Sequence, residues 1–436
     1  MTQPPAQRYA RSQQMLARAL KVIPLGSQTF SKAHTQYPAG HAPLFLTRGR
    51  GGRVWDVDGN EYVDLVCGLL PVVLGYGDPD VDAAVRAQLE AGVSFSLATE
   101  LEVELAERLV EIIPCAEMVR FGKNGTDATS AIVRIARAHT GRDRVIACGY
   151  HGWQDWYIGA TVRNKGVPRA VGELTHKLPY NDLAAVEAVL TAHPGEVALV
   201  ILEPMGVEEP APDYLPALRD LAHRHGALFA FDEVITGFRF ALGGAQEYFG
   251  VTPDLASFGK AMGNGLPISA VVGRADLMAE MEEIFFSATF GGEALSLAAS
   301  IAVIDKMRRQ PVIETLWATG RRIRDGVAAA AARHGLADAI TVKGKDPWTV
   351  LAVTDSHQTP AAAIKTFVMR ELLAEGVLSP NCHNVCYAHS RADVDQVLAA
   401  YDRVLARTAG ELAAGTLEAN LGCPPVMPVF RVRESS

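Results

Sequence analysis

The chain has 436 residues, of which 49% are hydrophobic, and it carries a formal net charge of −8 at pH 7. This length predicts more than one domain, or one large domain with a smaller lobe, around a sizeable core. The negative charge leaves no broad basic field for phosphate backbones, which argues against nucleic acid as a partner and favours a small molecule.

Location and redox state are also indicated by the sequence. No run of about 18 or more apolar residues is present, and the N-terminus "MTQPPAQRYARSQQ" lacks the apolar region of a secretory signal. We therefore expect a cytoplasmic protein without membrane attachment.

The six scattered cysteines are typical of reduced thiols. The segment "CHNVC", Cys382 to Cys386 with His383 between them, lacks a second Cys/His pair at zinc-finger spacing, so ordinary packing is favoured over a metal site.

The predicted elements begin with a helix in "YARSQQMLARALKVI", followed by an irregular stretch, "PLGSQTFSKAHTQYPAGHAP". Alternating apolar and polar residues in "GGRVWDVDGNEYVDLV", around the turn pair Asp58-Gly59, predict a β-hairpin. The 3.6-residue periodicity of "LEVELAERLVEIIP" then predicts an amphipathic helix.

Strands and helices alternate in the middle of the chain. The short apolar runs are "MVRF", "RVIAC", "VALVILEP", "ALFAFDEV", "LASFGK" and "ISAVVGR". This alternation predicts an α/β fold with a mainly parallel sheet covered on both faces. From about Pro311 the pattern changes to helix "VIETLWATGRRIRDGVAAAAARHG", strand "TVLAV", helix "AAAIKTFVMRELLAEG" and helix "RADVDQVLAAYDRVLARTAGEL". We interpret this change as a separate C-terminal lobe.

The ends of the predicted strands are where ligands of open parallel sheets gather. In "FGKNGTDATSAIVRIAR", Gly125 and Thr126 fall at a helix N-terminus, where free N–H groups and the positive end of the helix dipole favour a phosphate. A plain strand-to-helix turn with Thr126 as N-cap explains the same letters.

A second strand end, "VIACGYHGWQDW", supplies Tyr150, His151, Trp153 and Trp156. An aromatic ring at this place can stack on a planar ligand, although clustered aromatic residues are also typical of a core.

Two acids and one amine end further strands. Glu203 follows "VALVIL", and Asp232 ends "LFAFD". Carboxylates at the ends of buried strands are costly unless a cation meets them, and caps or solvated strand ends are the alternative. Lys260 ends "LASFGK", and its spacing from Asp232 is sufficient for one helix and a return strand. The acid and the amine are therefore predicted to be neighbours.

A phosphate cradle, an aromatic ring, an acid and an amine together describe a site for pyridoxal 5′-phosphate (PLP). Its aldehyde requires an amine of lowered pKa, its ring nitrogen requires an acid, and its phosphate requires a helix N-terminus. We therefore expect PLP as the cofactor.

Five segments, in their order and spacing, resemble the class III aminotransferases of PLP fold type I, especially the branch around glutamate-1-semialdehyde 2,1-aminomutase. They are "NGTDATSAIVRIARAHTGRDRV", "YHG", "FDEVITGFR", "SFGKAMGNGLPISAVVG" and "FSATFGG", and the likeness runs from about Pro24 to about Gln396. The resemblance implies a large PLP-binding domain at residues 71–310. It also implies a small α+β lobe from the N-terminal segment, 1–70, which contributes to the substrate site, and the C-terminal domain, 311–436.

The same resemblance assigns the cofactor residues. It implies that Lys260 is the Schiff-base lysine and that Asp232 is the partner of the pyridine nitrogen. It further implies that Thr289 reaches the phosphate of the other subunit, in a homodimer with shared active sites. The remaining implied cofactor-binding residues are Gly125, Thr126, Tyr150, His151 and Ile235.

The substrate half departs from the aminomutase pattern, at "PLGSQTFSKAHTQYP" and "FGGEALSLAAS". The segments "SQTFSK", "YHGWQDW" and "PVFRVR" resemble branch members that aminate carbonyls on sugars or aminoglycosides. We therefore predict transfer of an amino group from an amino-acid donor, glutamate or glutamine, to a sugar or aminoglycoside-like acceptor, in secondary metabolism such as aminoglycoside biosynthesis or in polysaccharide biosynthesis. The alternatives are a glutamate-1-semialdehyde 2,1-aminomutase that forms 5-aminolevulinate, and a non-catalytic PLP-binding protein, against which the intact Lys260 and Asp232 argue.

The substrate candidates share hydroxyl, amide, aromatic or charged side chains. No arginine lies between Arg18 and Arg48, although a carboxylate substrate normally calls for an arginine fork. The alternative is that the N-terminal part of this set packs as a loop over the partner subunit. The candidates are Ser27, Gln28, Lys32, Tyr37, Trp153, Asp155 and Glu203.

Overall fold

The structure is a computed structural model that describes residues 5–427. The segment "PVFRVR", which carried part of the sugar-aminating likeness, lies outside the described residues. The chain forms two compact units. Among the described residues, the first comprises residues 5–69, 74–78 and 314–427, and the second comprises residues 70–73 and 79–313.

Helices and strands alternate through most of the chain. The helices are α1 Pro5–Arg8, α2 Ala10–Ala19, α3 Pro79–Ala91, α4 Glu100–Ile112, α5 Gly125–Thr140, α6 Asp155–Ile158, α7 Arg169–Gly172, α8 Leu183–Ala192, α9 Tyr214–Arg224, α10 Ala245–Phe249, α11 Ala275–Met278, α12 Ala294–Arg309, α13 Val312–Arg333, α14 Ala361–Ala374 and α15 Arg391–Ala414. The strands are β1 Leu46–Arg50, β2 Arg53–Asp56, β3 Glu61–Asp64, β4 Met118–Gly122, β5 Arg144–Cys148, β6 Thr175–Lys177, β7 Val197–Leu202, β8 Leu228–Asp232, β9 Leu255–Phe258, β10 Ser269–Gly273, β11 Ile340–Lys345, β12 Trp348–Val353, β13 Val377–Leu378 and β14 Cys382–Asn384.

The second unit is built on a seven-stranded sheet in the order β4-β10-β9-β8-β7-β5-β6. Neighbouring strands from β9 to β6 are parallel, whereas β10 is antiparallel to both β9 and β4. Every residue of β7, β8 and β9 is buried. Strands covered on both faces must be apolar along their whole length. The predicted α/β fold with a mainly parallel sheet is therefore confirmed.

The first unit contains two smaller sheets, with strand orders β1-β2-β3-β13 and β11-β12-β14. The predicted hairpin is β2 and β3, which pair antiparallel. Its turn contains Gly59 at φ 89°, and the Asp56 carboxylate accepts the amide hydrogens of Asp58 and Asn60 at 3.0 and 2.8 Å. A left-handed backbone is what Gly adopts without a Cβ clash, so the turn pair set this hairpin as predicted.

Some boundaries differ from the sequence prediction. The N-terminal helical pattern ran to residue 23, whereas α2 ends at Ala19. Strands β1, β6, β11, β13 and β14 were not predicted. Strands β1 and β11 contain Gly and charged residues that weaken the apolar pattern, and β6, β13 and β14 have only two or three residues each. No helix among residues 5–427 has the length and apolarity that crossing a bilayer requires.

Gly320, in the middle of α13, provides a test of packing in the first unit. A Cβ at this position would overlap the carbonyl oxygen of Asp346, whereas a Cβ at Gly410 in α15 would have no neighbour within 4 Å. We expect Gly320→Ala to lower the free energy of unfolding by about 1–3 kcal/mol through overpacking. The matched Gly410→Ala is expected to raise it by about 0.5–1 kcal/mol, because Ala is the better helix former. Urea unfolding measures both, and equal shifts in the two variants would contradict the close approach.

Candidate active site

The carboxyl ends of four neighbouring parallel strands bring most of the predicted site residues of the second unit together. Asp232 is the last residue of β8 and pairs in register with Ser257 of β9, which leads into Lys260 two residues after its end. Glu203 directly follows β7, and Tyr150 follows β5. Parallel strands present their carboxyl ends at one edge of the sheet. The predicted proximity of the acids, the amine and the aromatic residue has this physical origin.

Asp232 is buried and receives three hydrogen bonds. Its Oδ2 lies 2.8 Å from Nδ1 of His151, and its Oδ1 accepts the Ser257 hydroxyl at 3.2 Å and the Val234 amide at 3.1 Å. The other ring nitrogen of His151 lies 3.2 Å from the carbonyl oxygen of Cys148. Both partners of His151 are oxygen acceptors, so both contacts are satisfied only with a hydrogen on each ring nitrogen. The His151 ring thus lies between the Asp232 carboxyl and the Cys148 carbonyl oxygen and positions Asp232.

Lys260 is held in an uncommon backbone conformation, with φ 33°. Burial lowers the pKa of its amine, while the charges of Asp232 and Glu203 raise it and the charge of Arg239 lowers it further. The net direction is a lowered pKa, which increases the fraction of neutral amine. A neutral amine is the form that acts as nucleophile and base.

Glu203 faces this group from β7. Its Oε2 accepts the amide hydrogen of Tyr150 at 2.9 Å. Burial and the charge of Asp232 raise the pKa of Glu203 to about 7, against the opposing charges of His151 and Lys260. Glu203 therefore gains or loses its proton near neutral pH, unlike an ordinary surface carboxylate.

The sequence predicted an anion cradle at the turn from β4 into α5. Asn124 is the N-cap of α5, so the alternative interpretation that placed Thr126 at the N-cap is wrong. The Asp127 carboxylate accepts the amides of Lys123 and Asn124 at 3.0 and 2.7 Å. Within residues 5–427 the structure gives the amide hydrogens of Gly125 and Thr126 no acceptor. Two unpartnered N–H groups at a helix N-terminus suit a phosphate.

Glycine is required on the walls of this cradle. A Cβ at Gly125 would lie 2.8 Å from the Val234 side chain. Gly152 has φ 100°, and a Cβ there would overlap the Thr126 hydroxyl. The Thr126 hydroxyl itself accepts the Trp153 amide hydrogen at 3.3 Å.

The aromatic residues after β5 divide into two groups. Trp156 is buried in the core of the second unit and donates to the Ser130 hydroxyl at 3.1 Å. Tyr150 and Trp153 have 48% and 66% of their surfaces exposed. Only these two retain surface for a ligand, and the sequence did not distinguish them from Trp156.

The other predicted residues of the second unit lie near its surface. Ile235 is half-buried in the turn after β8, and Asp155 is the exposed first residue of α6. Thr289 is exposed in the turn before α12. Glu233, next to Asp232, is fully buried and accepts hydrogen bonds from the Thr236 hydroxyl and the backbone amides of α10, so its role is structural.

The remaining substrate candidates belong to the first unit. Ser27, Gln28 and Lys32 lie in a segment of short 3₁₀ turns, where the Thr29 hydroxyl accepts the Lys32 amide hydrogen at 3.2 Å. Tyr37 packs against the core cluster around Tyr62, and burial raises the pKa of its phenol.

His383 of "CHNVC" is also buried, 2.8 Å from the Thr349 hydroxyl and 2.7 Å from the Tyr401 hydroxyl.

Sequence reasoning missed several supporting residues. Ser257 and Val234, which donate to Asp232, carry no motif signal of their own, because an apolar strand and a turn explain them equally well. Gly149, with φ 110°, allows the close approach of Glu203, whose Oε2 would lie 2.6 Å from a Cβ at that position. A glycine directly after an apolar strand was the one available signal.

Three comparisons with known proteins bear on this site. The family model described as "Aminotransferase class-III" matches residues 35–396. The 3-aminobutyryl-CoA aminotransferase of Cloacimonas acidaminovorans (strain Evry) is 35% identical over 410 residues, which cover 92% of this chain and 97% of that protein. The glutamate-1-semialdehyde 2,1-aminomutase of Natranaerobius thermophilus is 34% identical over 430 residues, which cover 92% of this chain and 99% of that protein.

Solved structures agree in fold. The PLP internal aldimine form of FumI from Sphingopyxis sp. MTA144 superposes with a TM-score of 0.86 at 30% identity, covering 95% of this chain and 99% of that one. An omega-transaminase from Sphaerobacter thermophilus superposes with a TM-score of 0.82 at 28% identity, covering 91% of this chain and 97% of that one.

The raised pKa of Glu203 predicts a pH-dependent contribution to stability. The folded protein holds this proton up to about pH 7, whereas the unfolded chain releases it near 4.5. As the pH rises through this window, the free energy of unfolding of the wild type should therefore fall by about 1–3 kcal/mol more than that of Glu203→Gln. Asp155→Asn, the same change at an exposed carboxylate, is the control. Urea unfolding from pH 4.5 to 7.5 measures the difference, and parallel curves for wild type and Glu203→Gln would contradict the assignment.

Proposed function

This chain belongs to the class-III aminotransferases, enzymes that use pyridoxal 5′-phosphate, and from that premise we propose which of its residues perform the reaction and which acceptor it takes. The reaction is the transfer of an amino group from glutamate or glutamine to a carbonyl of a hydroxyl-rich acceptor such as a sugar or an aminoglycoside precursor. The observation that supports transamination most directly is the buried Lys260 amine beside Asp232, whose carboxylate His151 holds.

The described residues fit the cofactor. The unpartnered amides of Gly125 and Thr126 provide donors for its phosphate, and the exposed ring of Tyr150 provides a surface for its pyridine ring. Asp232 is the acceptor for the ring N–H. When bound, PLP supplies an aldehyde that accepts the amino group and a protonated ring that takes up the electron pair of the breaking C–H bond.

Each residue of the chain then has one task. Lys260 would attach the cofactor through its amine and would serve as general base at the donor carbon, which its lowered pKa permits. Asp232 would hold the ring nitrogen, and His151 positions Asp232 through the 2.8 Å contact. Ile235 and Val234, in the turn after β8, provide apolar surface beside the site.

The polar side chains of residues 27–37 and the exposed side chains after β5 support a hydroxyl-rich acceptor. Residues 27–37 offer hydroxyl, amide and ammonium groups and no arginine. An acceptor without a carboxylate does not need an arginine fork. Trp153 provides an exposed ring and Asp155 an exposed carboxylate for a polyol that carries amino groups. We propose that residues 1–70 contribute Ser27, Gln28 and Lys32 to the substrate side.

Glutamate-1-semialdehyde 2,1-aminomutase activity is the second candidate, because several relatives bear that name, one of them 42% identical over 345 residues. The name of the relative from Cloacimonas points to a third substrate class, acyl-CoA thioesters with a 3-amino group, and the reverse of such a reaction would aminate a 3-oxoacyl thioester. Lys260 and Asp232 serve all three reactions equally, so only the acceptor distinguishes them.

We further propose a cytoplasmic homodimer in which Thr289 contacts the cofactor phosphate of the partner subunit. Thr289 is exposed next to the exposed apolar side chains Phe285 and Phe290, and such clusters mark protein interfaces. The six cysteines are free thiols, in keeping with a reducing compartment.

Subunit mixing tests Lys260 and Thr289 together. Lys260→Ala should lose the cofactor that borohydride fixes to the wild-type protein, and with it all activity, while the fold persists. Thr289→Ala should bind the cofactor more weakly. Mixed dimers should regenerate one intact site each, so activity should rise above that of either parent. Heterodimers that form without this gain would show that Thr289 serves its own subunit or neither, and a borohydride adduct retained in Lys260→Ala would place the reactive lysine elsewhere.

The acceptor proposal is tested by single-turnover kinetics. The enzyme is first aminated with glutamate or glutamine, and the recovery of the original cofactor absorbance is then followed with a 6-oxo or keto amino sugar, with glutamate-1-semialdehyde and with a 3-oxobutyryl thioester. We expect the amino sugar to react at least about tenfold faster, a difference of ~1.4 kcal/mol in activation free energy. Faster reaction with the semialdehyde, with 5-aminolevulinate as product, would assign the aminomutase reaction, and preference for the thioester would assign the third class.

A further inference from the structure

A buried cluster of two cysteines and one histidine, Cys67, Cys386 and His389, lies in the first unit. Their two sulfur atoms and one ring nitrogen lie within 4.8 Å of one another, and all three side chains are buried. Cys67 follows β3, while Cys386 and His389 lie between β14 and α15. The transamination proposed above uses none of these residues.

His389 is oriented as a base toward Cys386. Its Nε2 lies 3.1 Å from the carbonyl oxygen of Asp64, to which it donates, and its Nδ1 accepts the amide hydrogen of Cys386 at 3.0 Å. The His389 ring is also hydrogen-bonded to the Cys386 side chain, and this contact lowers the pKa of Cys386. Gly52 packs against the ring, and a Cβ there would overlap it. A thiol next to a base that a third group orients is the arrangement of an activated nucleophile.

The electrostatics distinguish Cys386 from the other buried thiols. A hydrogen bond from Cys67 lowers the pKa of Cys386 and, with the charge of His389, outweighs the opposing effect of burial. Burial lowers the pKa of His389, but the Cys386 charge raises it to about 9. In contrast, burial raises the pKa of Cys115 to about 12 and that of Cys148 to about 11. The pKa of Cys386 is therefore shifted in the opposite direction to the pKa values of Cys115 and Cys148.

Local hydrogen bonds fix the position of Cys67 beside Cys386. Its amide donates to the Asp64 carboxylate at 3.1 Å, and its sulfur lies 3.0 Å from the carbonyl oxygen of Asn384. Its backbone is left-handed, with φ 48°, and begins a run of four positive φ angles that ends at Leu70. Such a conformation persists only when surrounding contacts hold it.

A metal is less well served by the same residues. Both ring nitrogens of His389 already have partners. Among residues 5–427 the cluster offers three ligand atoms, fewer than the four of a structural zinc site.

We propose that Cys386 and Cys67 form a modification site that a small hydroperoxide oxidises to a disulfide. The Cys386 thiolate attacks one peroxide oxygen, the O–O bond breaks, and the leaving hydroxide takes a proton from the His389 imidazolium to give water. The Cys67 sulfur then attacks the Cys386 sulfenic acid, and the sulfenic oxygen leaves as a second water with the Cys67 proton. The two thiols lose two electrons, which reduce the peroxide, and a dithiol reverses the change.

The experiment exposes the holoenzyme to hydrogen peroxide at pH 7 and maps all cysteines by mass spectrometry over time. We expect a Cys67–Cys386 disulfide to form at least about tenfold faster than any oxidation of Cys115 or Cys148, which are equally buried but lack a base. Cys67→Ser should stop at the sulfenic acid on Cys386, which dimedone traps. His389→Gln should slow both products, with circular dichroism and cofactor absorbance confirming that the variant is folded.

Three results would overturn the proposal. The first is oxidation of Cys386 no faster than that of Cys115 and Cys148. The second is a disulfide from Cys386 to Cys382 or Cys423 in place of Cys67, for which Cys382→Ser serves as a control. The third is an unchanged rate in a folded His389→Gln, which would remove the base from the site.

Discussion

The structure of the site depends on one constraint, the burial of a lysine amine among carboxylates at the carboxyl edge of a parallel sheet. Strands β7, β8 and β9 are buried along their whole length, so the polar groups that follow them enter a medium in which an isolated charge is costly. Each group must therefore interact with another. His151 and Ser257 stabilise Asp232, the Tyr150 amide stabilises Glu203, and Lys260 is left with a lowered pKa.

Two consecutive acids show how position assigns different tasks to one residue type. Asp232 and Glu233 are both buried, yet Asp232 contacts His151 at the edge of the sheet, while Glu233 accepts hydrogen bonds from Thr236 and Gln246. Removing a buried carboxylate of the second kind leaves several donors unsatisfied. In the proposed reaction Asp232 acts on the cofactor, and Glu233 holds the turn that follows β8 and the start of α10.

The same physics applies to the cysteines. Burial alone raises the pKa of a thiol and makes it inert, as at Cys115 and Cys148. A hydrogen bond from Cys67, together with the neighbouring His389 imidazole, reverses the direction at Cys386. The proposed reactivity in both units thus depends on buried ionisable groups: burial lowers the pKa of Lys260, and contacts with Cys67 and His389 lower the pKa of Cys386.

The sequence by itself determined the parallel strands, the Asp58-Gly59 hairpin and the order of the family segments, because apolar runs, turn residues and motif spacing are local properties of the chain. It also indicated that an acid and an amine end neighbouring strands. The tertiary structure decided which aromatic residue of "YHGWQDW" is buried, that Asn124 caps α5, and that Cys67 meets Cys386. These outcomes depend on contacts between residues far apart in the chain, which no local pattern encodes.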